Sequence, residues 1–189
     1  MLNMPEIDLS RYGSRRGAVS KAPRWKIIAW FAVSRLFFSD LWAPFYGLKA
    51  AILRLFGARI GKGVVIKPGV RITCPWLLAV GDHVWIGEGA WLDNLDRLTV
   101  ESHVCISQGA YLCAGNHDWT DPYFGLKTAP IHVQEGSWLA AHSIVGPGVT
   151  VGRGAVLTLG SVATRSLEPM MIYAGNPAQP VRQRAVQAL

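Results

Sequence analysis

The chain has 189 residues, 50% of them hydrophobic and 16% charged, with a formal net charge of +7 and a sequence pI near 9.7. That composition excludes a disordered or heavily solvated chain, and the length suits one domain with an appended segment. The basic excess admits an anionic ligand or a membrane surface, whereas a nucleic-acid partner is not expected because no nucleic-acid-binding motif is present.

Residues 1–24 are polar, basic and rich in Gly and Ser, which predicts a flexible tail carrying Arg11, Arg15, Arg16, Lys21 and Arg24. Ser14-Arg15-Arg16 precedes an apolar run, as in a twin-arginine export signal. Arg35 and Asp40 interrupt that run, however, and no small-x-small cleavage site follows. Residues 25–56 are dense in large apolar side chains, among them Trp25, Trp30, Phe31, Phe37, Phe38, Trp42, Phe45 and Leu53. Two helices divided near Pro44 are expected. The segment lacks the run of about 20 uncharged apolar residues that a membrane span needs. Two compatible roles stay open for it. It can cap an exposed end of the next segment, or lie in a membrane interface with Trp and Phe inserted and Arg and Lys at anionic headgroups.

Residues 57–168 carry a period of six. Ile60, Ile66 and Ile72 begin it; Val80, Ile86 and Leu92 follow, then Val100, Ile106 and Leu112. It resumes at Val133, Leu139, Val145, Val151, Leu157 and Ala163. Neither a helix nor an alternating strand has this period, but a parallel β-helix of hexapeptide repeats does. Short strands would point each aliphatic inward, three faces would close a triangular coil, and stacked coils would bury one aliphatic column. Two-residue slips before Val80 and Val100 predict corner bulges near Leu78-Ala79 and Leu98-Thr99. Cys74, Cys105 and Cys113 lack metal-type spacing and read as reduced packing residues. Asp93-Asn94 puts polar residues at a corner, where turn chemistry and ligand binding are both open.

After Leu112 the repeat stops, and the inserted loop 113–132 contains Asn116-His117-Asp118-Trp119. A long loop on a rigid scaffold is a common place for function, and histidine suits proton transfer from a hydroxyl near neutral pH. His83, His103 and His142 occupy equivalent turn positions and read as exposed corner residues. Residues 169–189 read as a C-terminal tail leaving the solenoid through a Pro/Gly turn.

From about Phe56 to Arg182 the chain resembles the hexapeptide-repeat acyltransferases, and within them the colanic acid biosynthesis acetyltransferase family. The resemblance is carried by Leu55-Phe56-Gly57-Ala58-Arg59-Ile60-Gly61, Ile106-Ser107-Gln108-Gly109-Ala110-Tyr111-Leu112, Gly115-Asn116-His117-Asp118-Trp119 and Ala174-Gly175-Asn176-Pro177-Ala178. It implies an all-β solenoid, a left-handed parallel β-helix, with a helical N-terminal segment and an active-site loop. It also implies acetyl-CoA as co-substrate, no metal, and a homotrimer with active sites between subunits. His117 matches the family's general base, with Asn116 or Asp118 as its orienting partner. Asp93, Asn94 and Trp119 match acceptor-binding positions, and Trp138, Ala141, Thr164, Arg165 and Arg182 match positions along the acetyl-CoA site. Gln179-Pro180 departs from the family, which commonly has a basic residue and an aliphatic there.

These features together predict O-acetylation of a sugar hydroxyl in an exopolysaccharide intermediate. The acceptor would be lipid-linked, and the enzyme cytoplasmic, at the inner face of the cytoplasmic membrane. The alternatives are an O-acetyltransferase for a soluble saccharide and a non-catalytic scaffold subunit. A zinc carbonic anhydrase on the same solenoid would need three histidines converging on one metal, two of them in a short His-x4-His pattern, and His117 has no such partner around it.

Overall fold

The computed structural model describes residues 7–12, 22–38 and 45–187. The expected helix break near Pro44, and Arg15, Arg16, Lys21 and Asp40, lie outside the described residues.

Short parallel strands form three faces. The first is a five-stranded sheet running from Arg59–Ile60 to Thr150–Val151, and the third, also five-stranded, runs from Arg71–Ile72 to Val162–Ala163. The second begins at Val65–Ile66 and reaches seven strands because it ends in a hairpin. Coils stack in register: Ile60 pairs with Val80, Val80 with Val100, Val100 with Val133 and Val133 with Val151. The six-residue column therefore becomes one continuous buried core. Corners need left-handed backbone. One corner position is filled by Gly63, His83, His103, Gly136 and Gly154, all with positive φ. His83 and His103 are exposed there with rings stacked 5.3 Å apart, and His142 is exposed at the next corner, beside Gly109. The extra residues of the early coils sit one step before the predicted bulges. The first forms a 3-10 turn over Pro75–Leu77, after which Leu78 and Val80 both point inward.

A solenoid's first coil has no neighbour on its outer side. Its N–H groups donate to the second coil, as Gly61 does to the Val80 carbonyl and Lys67 to that of Ile86. Its carbonyls on that side would be orphaned. The N-terminal segment forms α1 (Arg24–Phe37) and α2 (Tyr46–Leu55), which supply one donor per face. Arg54 donates from Nε and Nη2 to the Ile60 carbonyl at 3.0 and 2.9 Å. The fully buried Lys49 donates to Ile66 at 3.2 Å, and Trp30 Nε1 to Ile72 at 2.8 Å. Trp30, Phe38 and Leu53 continue the apolar column into the cap. The segment is therefore a cap, and its outward side remains open: Trp25, Ile28, Phe31 and Leu36 are exposed on α1.

Both termini depart from the tails expected of them. Residues 169–187 do not leave the solenoid. Leu167 bridges to Val151 and Tyr173 pairs with Leu157, so a partial sixth turn continues the stack. Met171–Gly175 then folds back antiparallel on Ala178–Gln183. Arg184 fastens the end by donating to the carbonyls of Gly136 (2.8 Å) and Gly154 (3.0 Å). At the other end, residues 7–12 form a 3-10 turn over Leu9–Arg11 that lies on the inserted loop, and α1 already begins at Arg24.

Candidate active site

The inserted segment is an antiparallel arm. Gly115–His117 pairs with Leu126–Thr128, and the coil resumes at Ile131. Its tip is closed by two carboxylates acting on backbone. Asp118 Oδ1 accepts from the N–H and hydroxyl of Thr120 (3.0 and 2.6 Å), and Asp121 accepts from the N–H groups of Tyr123 and Gly125, both at 3.1 Å. A Cβ on Gly125 would come 2.7 Å from the Asp121 carboxylate, so a side chain there would push that carboxylate off its hydrogen bonds. Phe124 is thereby held in the left-handed region at φ 49°.

That turn directs the Phe124 carbonyl to His117 Nδ1 at 2.9 Å. A carbonyl only accepts, so Nδ1 carries the hydrogen and the neutral ring leaves Nε2 as an acceptor. Asn116 and Asp118, expected as orienters of His117, do other work. Asn116 Oδ1 accepts the backbone N–H of His117 at 2.8 Å. The second oxygen of Asp118 meets Lys127 Nζ at 2.8 Å. The ammonium of Lys127, followed by the Thr120 hydroxyl and N–H, holds the Asp118 carboxyl down at about 2. A depressed carboxylate stabilises the arm fully above its ordinary value of 3.8, and the contribution is lost as pH falls through about 2. A carboxyl-carbon NMR titration is expected to give Asp118 a midpoint near 2, moving back toward 3.8 in Lys127→Met.

His117 lines a cleft of about 740 Å³ together with Trp119, Lys127, Gly146, Pro147 and Thr164. It follows the corner between the third and first faces, where Thr164 also borders a smaller cleft of about 260 Å³ containing Arg165. Six of the expected residues thus share one corner: Asn116, His117, Asp118, Trp119, Thr164 and Arg165. Three do not. Trp138 lies on the second face, with Nε1 donating to Ser107 Oγ at 2.9 Å, and Arg182 lies in the hairpin of that face. Ala141 sits at the corner after it, where its carbonyl accepts from Gly160.

Asp93 and Asn94 have different fates. Asp93 accepts from Thr73 Oγ1 at 2.8 Å and from the Tyr111 hydroxyl at 3.2 Å, on the third face where Tyr111 also stacks on Trp91. Burial and the neighbouring Cys113 and Asp93 push the Tyr111 hydroxyl well above its ordinary value. Asn94 is fully buried, and its amide is taken by Cys74: Oδ1 accepts the Cys74 N–H at 2.9 Å and Nδ2 donates to its carbonyl at 2.6 Å. The expected acceptor-binding role does not fit an amide engaged on both sides. Burial pushes the Cys74 thiol up to about 11, in keeping with a packing residue. Among the described residues no three or more His, Cys, Asp or Glu side chains gather as a metal site.

Sequence reasoning missed Phe124, which acts through its backbone, and Tyr12, whose ring lies 5.7 Å from that of His117. No signal pointed to either. Lys127, Gly146 and Pro147 were also missed, although Gly146-Pro147 continues the repeat beside the arm.

No family model matches the chain. A protein of Escherichia coli K12 named as a colanic acid biosynthesis acetyltransferase, WcaF, is 43% identical over 161 residues, which is 84% of this chain and 87% of that protein. A hexapeptide-repeat acetyltransferase of Vibrio cholerae, solved with acetyl coenzyme A, superposes with a TM-score of 0.79 at 16% identity, covering 94% of this chain and 98% of that one. A galactoside acetyltransferase solved with coenzyme A gives 0.76 at 20% identity, covering 96% and 92%. The solenoid is thus the left-handed β-helix of these enzymes.

Proposed function

We propose, from the premise that the chain belongs to the colanic acid biosynthesis acetyltransferase family of hexapeptide-repeat enzymes, that it O-acetylates a sugar of an exopolysaccharide intermediate with His117 as general base. The chain is an acyltransferase and its acetyl donor is acetyl-CoA. The observation that carries the finer reading is the Nδ1–Phe124 hydrogen bond, which leaves His117 Nε2 as an acceptor beside a cleft. Nε2 takes the proton of the sugar hydroxyl while the oxygen attacks the thioester carbonyl. The acetyl–sulfur bond then breaks, and the departing thiolate receives the proton from the imidazolium. The donor fits the corner cleft, with its thioester near His117 and its phosphates toward Arg165, because a guanidinium suits phosphate oxygens.

A homotrimer completes this reading. Trp138 and Arg182 lie away from the His117 corner of their own subunit, and a second copy packed against that corner would bring its second face to the cofactor. Thiol release from acetyl-CoA with membrane-extracted lipid-linked saccharides tests the proposal. Release that depends on the saccharide supports it, and tight acetyl-CoA binding without release on any saccharide overturns the acceptor class. Comparable turnover of lipid-free sugars would favour the soluble acceptor.

The membrane side of the proposal rests on the cap. The outward side of α1 exposes Trp25, Ile28, Phe31 and Leu36 beside Arg24 and Arg35, and neither helix contains an acidic residue. No described helix is long and apolar enough to cross a membrane. Contact would therefore be interfacial, at the inner face of the cytoplasmic membrane. Flotation with phosphatidylglycerol vesicles is expected for the native protein, weaker in high salt, and lost in a Trp25→Ala/Phe31→Ala variant.

A further inference from the structure

The acetyl transfer described above makes no use of residues 7–12, which lie across the tip of the arm. The Asp8 N–H donates to the Pro122 carbonyl at 2.9 Å. Arg11 Nη1 donates to the Tyr123 hydroxyl at 2.9 Å, and its guanidinium stands 4.8 Å over that ring. Pro122 and Tyr123 immediately precede Phe124, whose carbonyl orients His117. Tyr12 completes the strap with its ring tilted 55° to the imidazole, at 5.7 Å.

Leu9, Tyr12, His117 and Phe124 enclose an opening of about 390 Å³ that shares only His117 with the corner cleft. The imidazole therefore separates two openings that differ in charge. The corner side offers an amide, a carboxylate, an ammonium and hydroxyls beside the Trp119 indole, Ala129 and Pro147. The strap side offers an aliphatic side chain and two aromatic rings besides the imidazole, and no charged side chain among the described residues. A direct transfer needs two substrates at one base, and the nucleotide-bearing donor suits the polar side.

We propose that the strap-side opening is the acceptor subsite and takes a neutral pyranose, whose C–H face rests on Tyr12 while one hydroxyl reaches His117. Tyr12 is then a specificity-determining residue, and the N-terminal strap is a wall of the site. The inference rests on the acetyl-transfer reading. Its selectivity follows from the lining: a stacked C–H face needs an aromatic surface, and a uronate carboxylate would lose hydration without gaining a partner.

The test combines kinetics with a binding readout that needs no turnover. In Tyr12→Ala the KM for a neutral saccharide is expected to rise about five- to tenfold, the loss of one aromatic contact. The KM for acetyl-CoA stays unchanged, and Tyr12→Phe behaves as native. Saturation-transfer NMR with methyl glucoside, methyl galactoside and methyl mannoside is expected to mark ring C–H protons on the native protein and to fade in Tyr12→Ala. Methyl glucuronide is expected to give the weakest signal. The proposal is overturned if Tyr12→Ala raises the acetyl-CoA KM instead, if it changes nothing, or if no neutral pyranoside binds the native protein. Pyranoside signals lost in Tyr12→Ala, in a protein that releases no thiol with any saccharide, would keep the pyranose site and sink the proposed acetylation of a sugar. Normal thiol release with a silent Tyr12→Ala would do the reverse.

Discussion

His117→Ala is expected to lower kcat for acetyl transfer by about 10²- to 10⁴-fold, the usual worth of a positioned general base. The ring contributes no core packing, since its contacts are the Phe124 carbonyl, the Phe124 ring and Tyr12. Sedimentation and acetyl-CoA binding should therefore match the native protein. His117→Gln should fare little better, because a side-chain amide cannot accept and then return a proton. The orientation device yields a sharper contrast. Phe124→Leu retains the backbone carbonyl that fixes Nδ1, so it should keep most of kcat although it removes an aromatic wall. A variant that loses activity through Asp118 should do so by loosening the arm, because that carboxylate is bonded to Thr120 and Lys127 and not to the ring. Stopped-flow thiol detection separates the two: a lost base lowers the chemical step, whereas a loosened arm also raises KM. Full activity in His117→Ala would remove the general base from the mechanism.

Asn94→Ala is expected to destabilise the fold by about 2 kcal/mol, because it strands the buried Cys74 N–H, a group that costs about 1–3 kcal/mol when unpaired. The Cys74 N–H and carbonyl both meet the Asn94 amide at a corner where the coil makes its 3-10 detour, and the Leu77 N–H of that turn stays with the carbonyl when the amide is removed. For a chain of this size the loss corresponds to a fall in Tm of roughly 6 °C. Asn94→Asp should also be costly, since it removes the donor and brings a carboxylate into a dry corner. Calorimetry is the measurement, paired with acceptor KM on the folded enzyme. An unchanged KM with a lowered Tm assigns the residue to the corner. The opposite result, a raised KM at constant Tm, would return Asn94 to the acceptor site.

The solenoid was legible because its period is written in side chains. Ile60, Val80 and Val100 announce one face by spacing alone, and stacking in register follows from it. The termini were less legible. Residues 7–12 hold to the arm through a backbone bond from Asp8 and one arginine, which leave no periodic trace. The sixth turn hid because Leu167 follows Ala163 by fewer than six positions, although Tyr173 then keeps the step. At the site, His117 could be singled out by residue type and loop position. Its orienter could not: a main-chain carbonyl belongs to any residue, and only the turn fixed by Asp121 and Gly125 makes it that of Phe124. Asn94 misled for the complementary reason. A polar corner residue has the same spelling whether its amide faces a ligand or a neighbouring coil.

The donors that Trp30, Lys49 and Arg54 extend to Ile72, Ile66 and Ile60 also bear on growth of the column beyond one chain. A stacked parallel coil presents its neighbours with a ready template, and the same surface that accepts the next coil of its own chain would accept the last coil of another copy. Repeated, that contact has no closing symmetry and yields a filament. Side chains from helices satisfy the three carbonyls without offering a strand of their own. Coil stacking thereby becomes finite at this end of the column.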